Sequence, residues 1–425
     1  MAQGHKQRIA GGMAAHLYAQ AVTILTQLAS LPIFLQKWSS ATYGEWLMLS
    51  AVPVYLTMAD AGILTAGGNL MSMAMAREDF AEMNRLFRCS LLIVAIFVPV
   101  LGLIIVGLLG VFSFSLTQEQ RITLGALMLA ALLTVACGLF DAAYRPFGKY
   151  PRVTVYLTTT RIIEWIGTLA GVYLVGTLSA AAVGFFAGRA VSCLVLLALA
   201  RRDLPGLEWS FRQTDSRLVR RLFMDGVGFL SFPAGQLINL QGLVLVVGTA
   251  LGTSAVAQFN TLRTLTRVLA QVSNLTGKAL APEVSALHGA GNDREAARLS
   301  FQVLMIVLPL TIVGALCLSA AGPTIIAMWG KGKIAFDRLA FSWLLAAAIA
   351  STYWQIQSIR FTATNRHTSI AKLYIFASIA GLIFAASTMS YFGMVAAPAA
   401  SFGVDLAMSV ATFVEIRRVR LASPA

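Results

Sequence analysis

Apolar positions in this chain gather into long uninterrupted stretches rather than alternating with polar ones. Twelve can be marked: Ala10–Leu35, Tyr43–Gly67, Cys89–Phe114, Ile122–Phe140, Val153–Gly176, Leu178–Ala200, Met224–Ala250, Ser254–Gly277, Phe301–Ala321, Leu339–Ile359, Leu373–Met389 and Val395–Val414. A helix needs about 20 mainly apolar residues to cross the hydrocarbon core. Open sheet edges cannot face lipid, so the stretches read as helices. The pattern predicts an all-α polytopic membrane protein with twelve transmembrane helices in two sets of six. The expected organisation is an N-terminal lobe over 1–200, a basic segment over 201–222 and a C-terminal lobe over 223–425. The apolar residues of the middle segment, Pro205, Trp209, Phe211, Leu218, Val219 and Leu222, would lie in the headgroup boundary.

Composition agrees: 58% of residues are hydrophobic and 12% charged, against about 25% charged in a soluble domain. Charge then sets orientation. Outside the spans, all Lys and Arg except Lys37, Arg121, Lys331, Lys333 and Arg338 fall on the side that holds both termini. By the positive-inside rule that side is cytoplasmic. The net charge of +14 is thereby spread over loops beside anionic headgroups, and no basic, aromatic groove for nucleic acid is formed. Cys89, Cys137, Cys193 and Cys317 have no paired spacing, and His5, His16, His288 and His367 are scattered. Neither a disulfide framework nor a metal site is expected.

A weak repeat joins the two halves. At an offset of 213 residues Glu82 matches Glu295, Arg85 matches Arg298 and Leu86 matches Leu299, and the register continues through Leu91 with Leu304, Ile93 with Ile306 and Val94 with Val307. Six spans separate the copies, so both start on the same side of the membrane. Such parallel repeats are a transporter plan.

Ionisable groups deep in a span are costly and mark sites or pairs. Arg161 and Glu164 in the fifth span, Arg189 in the sixth, Arg263 and Arg267 in the eighth and Asp405 in the twelfth stand near mid-membrane, with Asp60 in the second. Arg161 and Glu164, three apart, could pair along one helix face. Arg263 and Arg267, four apart, share a face with no acid between them. The mid-depth surplus of Arg suits phosphate oxygens. Gln236, Asn239, Gln241, Gln258, Asn260, Gln271, Gln355 and Gln357 add neutral donors and acceptors in the seventh, eighth and tenth spans. Candidate substrate-binding residues are therefore Arg161, Arg189, Arg263, Arg267, Gln236 and Asn239. Asp405, Glu164 and Asp60 are the carboxylates able to bind a coupling cation.

Four short segments carry a family likeness: Tyr43-Gly-Glu-Trp-Leu47, Tyr55-Leu-Thr-Met-Ala-Asp-Ala-Gly-Ile63, Ala281-Pro-Glu-Val-Ser-Ala-Leu287 and Gly291-Asn-Asp-Arg-Glu-Ala-Ala-Arg298. With the span number and repeat, the chain resembles the polysaccharide transporter family (Wzx-type oligosaccharide-lipid flippases) of the multidrug/oligosaccharidyl-lipid/polysaccharide exporter superfamily. The resemblance implies two six-helix lobes in a V around a cationic cavity, working by alternating access in the bacterial inner membrane. It implies a polyprenyl-pyrophosphate-linked glycan as cargo for O-antigen, capsule or exopolysaccharide. No cofactor is implied beyond a proton or sodium gradient; a monomer suffices, beside glycan polymerase or export machinery. A drug or metabolite/cation antiporter on the same fold is the alternative. An enzyme is disfavoured, because outer loops are short and there is no phosphate-binding Gly-x-x-x-x-Gly-Lys loop.

Overall fold

The computed structural model describes residues 2–111, 116–211, 214–229, 231–290, 292–362 and 368–422. Among them there is no strand. The chain separates into two compact units. One gathers Met1–Lys37 with Leu49–Leu230, the other Trp38–Met48 with Ser231–Ala425.

The first unit holds α1 (Ala2–Lys37), most of α2 (Ser40–Ala61), α3 (Ile63–Ala76), α4 (Phe80–Val111), α5 (Gln118–Tyr144), α6 (Tyr150–Leu174), α7 (Leu178–Asp203) and α8 (Ser216–Phe229). Local chemistry explains several boundaries. Thr117 and Gln120 form a reciprocal capping box that starts α5, and the Thr177 hydroxyl caps Ala180 N at the start of α7. Between them Gly176, at φ +88°, closes α6 by donating to Gly171 O at 3.1 Å. The second expected span is two helices, interrupted at Gly62. A Cβ on Gly62 would stand 2.0 Å from Gly226 O, so α8 crosses the break backbone to backbone.

That crossing corrects the picture of the basic segment as a surface linker. Leu204, Leu207 and Leu222 are buried in the core of the first unit beside Phe87, Phe140 and Tyr144. Trp209 packs edge-on against Phe87 at 5.0 Å. Arg88 reaches Glu208 at 2.6 Å, and Asn84 exchanges hydrogen bonds with Gly206 O and Glu208 N. Only a few of the segment's apolar residues, such as Phe211, remain exposed.

The second unit holds α9 (Ser231–Leu237), a π-helical turn (Ile238–Gly242), α10 (Leu243–Leu251), α11 (Thr253–Gly289), α12 (Asp293–Trp329), α13 (Arg338–Thr362), α14 (Thr368–Phe392), a 3₁₀ turn (Gly393–Val395) and α15 (Ala396–Ala422). The seventh span, expected as Met224–Ala250, is shared: its first residues end α8, and Ser231–Leu251 run on as one continuous helix through the π-helical turn. Packing repeats between the units. In the first, α5 packs on α7, α6 on α7, α4 on α5 and α3 on α4 and α5; in the second, α13 packs on α15, α14 on α15, α12 on α13 and α11 on α12 and α13. The equivalent helices α4 and α12 start at Phe80 and Asp293, the same 213-residue offset that the sequence carries.

Nine stretches among the described residues are long and apolar enough to cross a membrane, and one of them, Ile370–Arg418, covers both α14 and α15. Helices α6 and α11 are outside these nine; they carry Arg161 with Glu164 and Arg263 with Arg267, whose charge lowers their mean hydropathy. The chain is a multi-pass membrane protein, and the helices short of hydropathy are the two richest in mid-depth charge.

Candidate functional site

Three mid-depth charges lie in the first unit. Four glycines let α6 and α7 meet: a Cβ on Gly167 would stand 2.2 Å from Gly184 O, one on Gly184 2.0 Å from Gly167 O, one on Gly171 2.2 Å from Ala180 O and one on Gly188 2.9 Å from Glu164 Cα. Small residues four apart allow this approach between membrane helices. It puts Arg189 of α7 opposite Glu164 of α6, and Arg189 Nη2 donates to Glu164 Oε2 at 2.8 Å, with side chains 12% and 4% exposed. The expected Arg161–Glu164 pair is not formed. Arg161 lies on an exposed face of α6 and donates to Thr23 Oγ1 at 3.4 Å. Asp60 stands on α2, but its side chain is outside the described part of the structure.

The other candidates converge in the second unit. A cavity of about 120 Å³ brings together Gln236, Asn239, Arg263, Arg267 and Asp405. Its walls follow helical periodicity. Arg263, Thr266, Arg267, Ala270 and Asn274 form one stripe of α11; Leu344, Ala347, Ala348, Ser351 and Gln355 form one stripe of α13. Ser401 and Asp405, one turn apart, come from α15, and Tyr374 from α14.

Arg263 is 7% exposed and heavily tied. Its Nη1 donates to Leu240 O at 2.6 Å, its Nη2 to Asn260 Oδ1 at 2.8 Å, and its guanidinium lies 4.9 Å from the centre of the Phe259 ring. Leu240 sits in the π-helical turn. Such turns open the hydrogen-bond ladder and recur at functional sites; Arg263 satisfies a carbonyl of the widened turn and so ties the bulged helix that carries Gln236 and Asn239 to α11. Arg267, one turn further, is exposed toward the cavity. On the far wall Trp354 Nε1 donates to Asp405 Oδ1 at 2.8 Å. The Trp354 and Tyr374 rings stand 5.2 Å apart, and Tyr374 reaches the Asn239 side chain. Two guanidiniums and one carboxylate therefore face a small polar chamber of neutral amides and hydroxyls.

Arg161, Arg189 and Glu164 do not line this chamber. Leu240, Tyr374 and Ser401, all absent from the sequence-derived site, do, and Trp354 touches it only through its hydrogen bond to Asp405. Nothing in the sequence separates Trp354 or Tyr374 from bulky core residues. Among the described residues no cluster of His, Cys, Asp and Glu could hold a metal ion.

No family model matches the chain, and no curated protein matches it in sequence. Solved structures match over nearly its whole length. One, the inward-facing conformation of a multidrug resistance MATE family transporter of the MOP superfamily, has a TM-score of 0.75 at 15% identity over 96% of this chain and 97% of that one. An outward-facing MATE transporter gives 0.66 at 16% identity, covering 98% of this chain and 96% of that one. A MOP superfamily transporter from Pyrococcus furiosus, described as having a binding pocket of reverse polarity that suggests a different function, gives 0.65 at 16% identity, covering 98% and 95%. All three are transporters, and the chain shares the fold of these MATE-type transporters of the MOP superfamily.

Proposed function

We propose that this protein is a transporter in which the cavity of the C-terminal unit receives the anionic head group of an amphiphilic cargo. The observation that carries the reading is the pair Arg263 and Arg267 facing a chamber with a single carboxylate. Arginine forks match phosphate oxygens, and two guanidiniums against one carboxylate favour an anion over a cation. At about 120 Å³ the chamber is well below the roughly 300–1,000 Å³ of sites that enclose a drug-sized ligand. It suits a phosphate-sized group, with the remainder of the cargo outside it. A polyprenyl-pyrophosphate-linked oligosaccharide, moved across a bacterial cytoplasmic membrane by a monomer with both termini inside, is the cargo of this kind that the sequence resemblance favours.

A drug or metabolite/cation antiporter is the second reading. The fold neighbours favour it, because two of them are described as multidrug resistance MATE transporters, and Asp405 is the group that would receive a cation. The neighbour with a pocket of reverse polarity supports the idea that this fold serves cargo of either sign.

Complementation separates the two. Wild type and Arg267→Ala are expressed at matched levels in a strain lacking its oligosaccharide-lipid flippase and, separately, in one lacking its drug exporters. Restored surface glycan with wild type and its loss in the variant is the expected result. Drug resistance conferred by wild type without glycan restoration would replace the anionic reading with the antiporter.

A further inference from the structure

The carboxylate and the two guanidiniums share one small chamber, and this fixes the sign of any coupling between proton and cargo. In a carrier of cationic cargo, proton and cargo compete for the same carboxylate, and the two are exchanged. Here the cargo's charge is opposite, and the logic inverts. The inference rests on the reading of the chamber as an anion site. We infer that a proton on Asp405 and an anion held by Arg263 and Arg267 bind cooperatively, so that proton and cargo travel together rather than in exchange.

Ionised, Asp405 repels an anion that enters the same cavity. Protonated, it stops repelling and becomes a hydrogen-bond donor to the anion's oxygens. The atom that takes the proton is Oδ2. The indole N–H of Trp354 can only donate, and it keeps Oδ1 as an acceptor. The charged and titratable groups facing Asp405 are few: Arg263 and Arg267 from α11 and Tyr374 from α14. From α13 come Trp354, Ser351 and Gln355, and from α9 and the π-helical turn Gln236 and Asn239; none of these titrates. Asp405 is the only acid among the residues lining the chamber, so a proton-dependent change in its charge has no second carboxylate to blur it.

Linkage makes the effect reciprocal: if the proton strengthens anion binding, the anion holds the proton by the same factor. The transport consequence follows from charge. With a dianionic head group, the chamber of two guanidiniums and one protonated carboxylate is neutral when loaded. It returns with one net positive charge when empty and deprotonated. Each cycle moves one dianion and one proton in the same direction, for a net transfer of one negative charge. An inside-negative membrane potential therefore drives outward cargo movement, and an inward proton gradient acting through Asp405 opposes it.

The test uses the full-length protein in lipid nanodiscs and inorganic pyrophosphate as the probe. Affinity is measured by calorimetry from pH 5.5 to 8.5 for wild type and Asp405→Asn. Pyrophosphate itself gains protons over this range for both proteins, so the ratio of the two affinities isolates Asp405. Wild type is expected to gain on the variant by roughly tenfold as pH falls, within the 5–150-fold usual for coupled sites. In addition, wild type alone, titrated in buffers of different ionisation enthalpy, should take up more protons than pyrophosphate binding itself requires. This second readout stands even if Asp405→Asn folds poorly. A ratio that stays flat, or wild-type binding that weakens at low pH relative to the variant, overturns the inference while leaving the anion site intact. Absence of pyrophosphate binding, or equal binding by Arg267→Ala, overturns the anion reading and the inference with it.

Discussion

The same helix crossing occurs in both units and is used differently. In the first, α6 and α7 meet through Gly167 and Gly184; in the second, α14 and α15 meet where Gly381 approaches Ala400 and Val404. Glu164 stands three residues before Gly167 and Arg189 five after Gly184. The matching positions are Ser378, three before Gly381, and Asp405, five after Ala400. One crossing therefore contains a closed acid–base pair across two helices. The other has an acid with no base opposite it, tied instead to the Trp354 indole, while the Ser378 hydroxyl is buried without a partner among the described residues. Depth in the membrane alone does not mark a working charge. The Glu164–Arg189 pair balances its own charge within the protein and reads as architecture, although Glu164 Oε1 and Arg189 Nε are buried without a hydrogen-bond partner among the described residues. Asp405, Arg263 and Arg267 leave their empty chamber with one net positive charge, which an anionic ligand can balance.

The comparison breaks most sharply at the closed pair. Removing one partner leaves an uncompensated buried charge, so Glu164→Ala or Arg189→Ala should each cost about 3–5 kcal/mol. The pairwise replacement Glu164→Gln with Arg189→Met should recover most of it, because a well-shaped neutral pair can match a buried ion pair. Thermal unfolding of purified protein checks both. By contrast, Asp405→Ala removes the hydrogen bond that Trp354 Nε1 donates to Oδ1, for a loss of about 1–3 kcal/mol. Equal losses for Arg189→Ala and Asp405→Ala would show that the two crossings are not different in kind.

The glycines sharpen the same contrast at the next level. A Cβ on Gly184 meets backbone, Gly167 O at 2.0 Å, whereas a Cβ on Gly381 meets a side-chain methyl, Val404 Cγ2 at 2.6 Å. A side chain can turn aside and a helix backbone cannot. Gly381→Ala should cost about 1–3 kcal/mol, the usual range for overpacking, and Gly184→Ala distinctly more, with lower yield of folded protein on size-exclusion chromatography. Comparable yields for the two variants would mean that α6 and α7 can separate without penalty.

How much of this was legible in the sequence depended on whether a feature is local. Span positions, the two sets of six helices and the 213-residue register rest on hydropathy and short-range pattern, and the start of α4 and α12 keeps that register. The pairing of charges was not local. Arg161 and Glu164 are neighbours on a helix, yet Glu164 turns to Arg189 because the glycines bring α7 within reach, and glycines in an apolar span say nothing of which helix they will meet. Arg263 and Arg267, four apart in sequence, line one cavity. That spacing was not enough to assign them different duties, since the Leu240 carbonyl that engages Arg263 becomes available through a π-helical turn with no sequence signature. The middle segment misled for a related reason: its apolar residues fit a membrane surface and a protein core equally well, and contact with Phe87 and Phe140 decided for the core.

The smallest effect on stability belongs to the residue with the largest expected role. Arg263 is buried and donates to Leu240 O and Asn260 Oδ1; Arg263→Ala would strand that carbonyl and loosen the π-helical turn, at a cost of about 1–3 kcal/mol. Any loss of cargo binding in this variant is therefore confounded by loss of structure. Arg267 is exposed to the chamber, and its removal should change stability by no more than about 0.5 kcal/mol, as for surface positions that hold no structural contact. If Arg267 is the free half of an anion site, Arg267→Ala will melt with wild type yet bind pyrophosphate at least tenfold more weakly, since a charge-assisted hydrogen bond contributes about 1.5–3 kcal/mol. Arg267→Lys should recover part of the affinity, because an ammonium supplies the charge without the fork. Wild-type affinity in Arg267→Ala would assign the pair a purely structural duty, and the second unit would then resemble the first after all: a set of buried charges satisfied from within.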